Sequence, residues 1–178
     1  MESPRFRNLA IETAAWIETG NWTRNPNNTV LRQRSFAAVA TEQLRRQRKK
    51  ILKRGKCLDT LDPQHRHKLR IQTKKLRYAA EFFAPAFPRK KSMQRRKDFV
   101  TSLHQLQDAL GELNDIAVNK KLLKHLGDGK DASDKRHGGR IRKDLVGHLS
   151  GREEARIAPL LKQAERAYAG FAKVKPFW

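Results

Sequence analysis

With 178 residues, of which 40 are Lys or Arg and 18 are Asp or Glu, the chain carries a formal net charge of +22, a self-repelling excess that an anionic partner would offset. That length suits one domain around one hydrophobic core rather than two, and the lone Cys57 excludes an intramolecular disulfide and a cysteine-based zinc site, which fits a reducing, cytoplasmic setting. No run approaches the ~20 apolar residues of a membrane span, and the apolar stretch over residues 9–17 is broken by Glu12 and Thr13, so no signal peptide is expected.

Apolar residues recur at helical spacing in almost every segment, and strand-like alternation is absent, so the expected fold class is all-α, an antiparallel helical bundle. The first helix follows Ser3-Pro4, a cap and a first-turn proline, carries Phe6, Leu9, Ala10, Ala14 and Ile17, and stops near Gly20-Asn21. Residues 25–28 read as a polar link. A second helix is expected from about residue 35 to 54, ending at Gly55, with Phe36, Ala40, Leu44 and Ile51 on one face. The third starts after Asp62-Pro63 and runs past Tyr78 to Phe83, where Pro85 and Pro88 stop it.

A fourth helix shows Val100, Leu103, Leu106, Leu110, Leu113 and Ala117 at three- and four-residue steps, a seam for packing in a bundle, with Gly111 midway. Residues 127–139 mix Gly, Asp, Ser, Lys and His without an apolar period and read as an exposed turn. Two further helices are expected over residues 140–149 and 152–169.

The third helix carries the most information. Leu69, Leu76, Ala80 and Phe83 form its core stripe, while His67, Arg70, Lys74 and Arg77 line up elsewhere at i, i+3, i+7 and i+10, beside Tyr78. At ~1.5 Å per residue the line is about 15 Å long, which suits a linear anion better than one small ligand. The second helix repeats the device with Arg46, Lys49, Lys50 and Lys53 opposite Leu44, so the two strips are expected to line one basic groove. Asp108, Glu112 and Asp115 form an acidic stripe on the fourth helix, and Asp115 is expected to orient cations from behind.

His65 and His67 point about 200° apart on a helix, the wrong geometry for one metal ion. Neither an H-E-x-x-H pair nor a G-x-x-x-x-G-K-[ST] loop is present, nor the alternating Glu-x-Glu-x-Lys strand of triphosphate-hydrolysing domains. The expectation is a binding protein without metal, cofactor or catalytic residues.

The string His67-Lys68-Leu69-Arg70, then Lys74-Lys75-Leu76-Arg77-Tyr78, Glu81-Phe82-Phe83, Leu106-Gln107-Asp108 and Leu110-Gly111-Glu112-Leu113-Asn114-Asp115 resembles the second half of a CHAD domain, the conserved-histidine α-helical domain. The terminal Pro176-Phe177-Trp178 resembles that family's end. The resemblance implies paired four-helix bundles around a basic groove or pore that binds inorganic polyphosphate, and association with polyphosphate granules. His67 matches the histidine that names the family, and Arg70, Lys74 and Arg77 match its basic positions. On this reading the chain is one short or partial domain over 1–178, with residues 1–22 similar to the end of the first bundle and 35–178 to the second. The earlier His-containing helix of a full member is missing, so a homodimer is one way to supply the absent wall.

The expected function is therefore non-catalytic polyphosphate binding, with His67 donating to a phosphate most strongly when protonated. The alternative is sequence-independent DNA or RNA binding, which the charge also supports. Against base reading stand the lack of Asn and Gln beside Arg on a short recognition helix, Gln72 lying nearer the apolar stripe, and an aromatic content of only 7%.

Overall fold

The computed structural model describes residues 3–25, 29, 33–128 and 138–178. Among them every regular element is helical, and the chain divides into two compact units, residues 1–39 and 40–178.

The first unit holds α1 (Pro4–Thr19). Ser3 Oγ accepts the Phe6 N–H at 3.3 Å and Pro4 occupies the first turn, which is how the Ser-Pro pair starts the helix. At the other end Gly20 N–H and Trp22 Nε1 both donate to the Trp16 carbonyl, at 3.0 and 2.9 Å. A side chain at position 20 would meet that carbonyl at 2.4 Å and the Trp22 ring at 2.7 Å, so the close approach requires glycine.

In the second unit the architecture is set by α2 (Phe36–Gly55) from Ala40 onward, α3 (Pro63–Phe82), α4 (Lys90–Asp128) and α5 (Gly138–Lys173). Helix α2 buries Ala40, Leu44, Ile51 and Gly55. Helix α3 begins where Asp62 accepts the His65 N–H at 2.8 Å and meets the His65 ring Nδ1 at 2.6 Å. These two hydrogen bonds hold the Asp62 carboxyl below its usual pKa. Its core stripe is Leu69, Thr73, Leu76 and Ala80, and the buried Thr73 hydroxyl is satisfied by donating to the Leu69 carbonyl at 3.0 Å.

The expected seam on the fourth helix is real but belongs to a longer element. Helix α4 spans 39 residues and buries Phe99, Leu103, Leu106, Ala109, Leu110, Leu113 and Ile116 against its neighbours. The two helices expected over 140–149 and 152–169 are one, α5, which passes through Ser150-Gly151 and Pro159 without a break. A helix-interior glycine costs about 1 kcal/mol and an interior proline about 3 kcal/mol, and α5 stays helical through both because it packs along α4. Of the expected turn over 127–139, residues 127–128 and 138–139 are helical, and 129–137 lie outside the described residues.

The C-terminal end of α5 ties α2 into the bundle. Arg48 Nη2 donates to the Ala172 and Val174 carbonyls, both at 3.1 Å, satisfying groups that a helix end leaves open. Tyr168 donates its hydroxyl to the Leu52 carbonyl at 2.7 Å, and its ring lies where a side chain on Gly55 would be, 2.2 Å away. Glycine at position 55 is thus what lets α2 end against α5. Beyond α5, Phe177 and Trp178 fold back onto Phe99, with ring centroids 5.7 and 5.2 Å away.

Candidate polyanion-binding site

Helices α3 and α4 run antiparallel, and their register places side chains of α4 behind the basic line of α3. His67 Nδ1 lies 2.7 Å from Asn114 Oδ1. An amide oxygen only accepts, so Nδ1 of the exposed ring carries the proton, and in the neutral tautomer that this selects Nε2 holds a lone pair. One turn along, Arg70 crosses α4 at Gly111, where an added side-chain carbon would stand 3.7 Å from Arg70 Nε. That Nε is buried without a hydrogen-bond partner.

Arg77 is held most firmly. Its Nε donates to Gln107 Oε1 at 3.2 Å and its Nη1 to Glu81 Oε1 at 2.9 Å, leaving the side chain 14% exposed. The guanidinium carbon sits 4.4 Å from the Tyr78 ring centroid, and Lys74 Nζ reaches the same ring at 5.7 Å. The ring quadrupole thus draws two like charges together at a half-exposed aromatic face.

At the His67 end the face opens into a cavity of ≈ 380 Å³ that Lys68 and Lys121 also line. The partners that α4 supplies, Asn114, Gln107 and Gly111, are neutral, and within the line Arg77 alone is ion-paired among the described residues, with Glu81 of its own helix, so most of the positive charge is left for a ligand. No single-sequence pattern marks them, because the antiparallel register that brings them to α3 is a tertiary feature.

The basic residues of α2 are placed elsewhere. Arg46 and Lys50 line a cleft of ≈ 250 Å³ between α2 and the other flank of α3, where Gln47, Gln72 and Lys75 face them. Lys49 lines a separate cleft of ≈ 370 Å³ with Arg45, Arg48 and Trp178. Lys53 is exposed. The structure therefore brings His67, Arg70, Lys74, Arg77 and Tyr78 together on the α3/α4 face, and sets the α2 cations along different surfaces.

Asp115 and Asp108 are exposed on α4, and neither makes an ion pair or side-chain hydrogen bond among the described residues. Glu112 turns toward α5, 3.9 Å from Arg156. The orienting contacts to the basic line come instead from Asn114, Gln107 and Glu81. Burial lowers the pKa of Arg66 on α3, an effect that Asp62 opposes. Among the described residues, no group of three or more His, Cys, Asp or Glu is placed to hold a metal ion, and no helix is long and apolar enough to cross a membrane.

No curated protein and no solved structure matches the chain. The sequence profile of the CHAD domain matches residues 1–124, a span that includes α1, α2, α3 and the whole basic face just described. The Pro176-Phe177-Trp178 end lies outside it. On that match, covering well over half of its length, the chain belongs to the CHAD domain family.

Proposed function

We propose that this protein binds inorganic polyphosphate without hydrolysing it, seating the chain along the α3/α4 face. The observation that carries the reading is the alignment of His67, Arg70, Lys74 and Arg77 along about 15 Å of one helix edge, backed by neutral side chains of α4. Arg70 offers a forked donor to successive phosphate oxygens, Lys74 a mobile point charge, and the clamped Arg77 a fixed one. The general polyphosphate affinity of CHAD domains agrees with this arrangement. Arg46 and Lys50 would add charge from the far flank of α3.

A nucleic-acid strand is the second reading, favoured by the exposed rings of Tyr78 and Phe82 on the same helix. Competition at one physiological salt concentration separates the two. Long-chain polyphosphate should displace labelled single- and double-stranded DNA and resist displacement by heparin. Equal or tighter binding of DNA would transfer the assignment to the second reading.

The His67 geometry sets a pH dependence. With Nδ1–H committed to Asn114, a neutral ring presents a lone pair at Nε2, which repels phosphate oxygens; only the imidazolium offers a donor there. A donor at that position therefore requires the ring to take up a proton, so by linkage affinity rises as pH falls. Long chains are the proper ligand for this measurement, since their titrating terminal phosphates are a negligible fraction. His67→Gln should flatten the profile, and a wild-type profile already flat would remove His67 from the site.

A further inference from the structure

The basic face does not stop at Arg77. Going from His67 to Arg77 along α3 means going from Asn114 to Gln107 along α4, toward the first turns of α4. There, past Glu81, the face broadens into an open cleft of ≈ 1170 Å³ bounded by Glu81 and Ala84 at the end of the α3 edge and by Lys90, Lys91, Arg96 and Lys97 of α4. Four cations line it against one carboxylate, and that carboxylate is already engaged by Arg77 at 2.9 Å. None of the four has an ion pair among the described residues.

Their placement is costly on its own. The first turn of α4 contains no acidic residue, and Lys90 and Lys91 there oppose the helix dipole by about 0.3–1 kcal/mol each. Gathered around one cleft whose one lining carboxylate is already engaged, the four cations also repel each other. A polyanion arriving from the α3 edge would relieve both effects at once.

Resting on the proposed function, we infer that this cleft is a second anchor for the same ligand, so that the site is bipartite and discriminates polyphosphate by length. From His67 to Ala84 the track covers about 25 Å of helix axis. Tripolyphosphate, with three phosphorus atoms, is too short to touch both His67 and the α4 cations. A chain of several tens of phosphates engages both, and the second anchor then closes at the high effective concentration that tethering provides.

The test compares tripolyphosphate with a chain several tens of phosphates long, for the wild type, for Lys90→Gln/Arg96→Gln/Lys97→Gln, and for Arg70→Gln/Lys74→Gln. Neutralising the cleft should cost the long chain about tenfold or more in affinity and make its salt slope shallower by about one per cation removed, while tripolyphosphate changes less than about twofold. If the two ligands lose affinity equally, or neither loses any, the second anchor is overturned, and the proposed function stands as long as Arg70→Gln/Lys74→Gln still weakens binding. If that α3 variant binds the long chain like wild type, the proposed function falls and the second anchor falls with it. Circular dichroism melts of both variants establish that they remain folded.

Discussion

Arg70→Glu/Lys74→Glu should bind long-chain polyphosphate roughly a thousandfold more weakly than the wild type. Each charge-assisted hydrogen bond to a phosphate oxygen is worth about 1.5–3 kcal/mol, and each 1.4 kcal/mol is about tenfold, before the repulsion of two new carboxylates is added. Arg77 is left out deliberately: it is tied to Glu81 and Gln107 and only 14% exposed, so its reversal would mix folding loss with binding loss. The matched control is Lys162→Glu/Arg166→Glu, which makes the same change in net charge at exposed positions of α5. Screening beyond about 8 Å at physiological ionic strength should confine the control to a few-fold effect. Equal losses in the two variants would mean that the protein attracts polyanions diffusely and has no site on α3.

How much of this could be read in the sequence depends on the range of the interaction involved. The starts of α1 and α3 were legible because a Ser or Asp acceptor followed by proline solves a local problem, the open N–H groups of a first turn. The basic line of α3 was legible for the same reason, since helical spacing alone aligns residues 67, 70, 74 and 77. What faces that line was not. A step from Asp115 to Asn114 turns the side chain by 100°, and only the α3/α4 register decides that Asn114 meets His67 while Asp115 stays exposed. The same holds for α2, whose cations share a helix face with one another but, once packed, are divided among separate clefts. The run of Lys90, Lys91, Arg96 and Lys97 was visible as charge, yet nothing local says that it continues the track of α3. In α5 the error went the other way: Ser150-Gly151 is a fair local stop signal that the long contact with α4 overrides.

That dependence on tertiary packing makes Phe99 the residue whose loss should cost most. It is fully buried and touches the rings of Phe171, Phe177 and Trp178 at 5.5, 5.7 and 5.2 Å, joining α4 to the end of α5 and to the C-terminal tail. Phe99→Ala should destabilise the protein by about 3–5 kcal/mol, the usual cost of removing a buried phenyl ring with incomplete collapse around the cavity, and lower the melting temperature by roughly 10 °C. Phe82→Ala, at a position 71% exposed, should stay within about 0.5 kcal/mol. Denaturant midpoints measured side by side make the comparison. The consequence reaches the ligand, because Phe99 adjoins Val100 at the cleft margin and the start of α4 must be rigid for its cations to face the α3 edge. Phe99→Ala should therefore lose long-chain affinity at temperatures where it is still folded, and polyphosphate should restore part of its melting temperature by binding the native state alone. A destabilisation below about 1 kcal/mol would mean that the aromatic cluster repacks without Phe99, and that the C-terminal tail is not what steadies the start of α4.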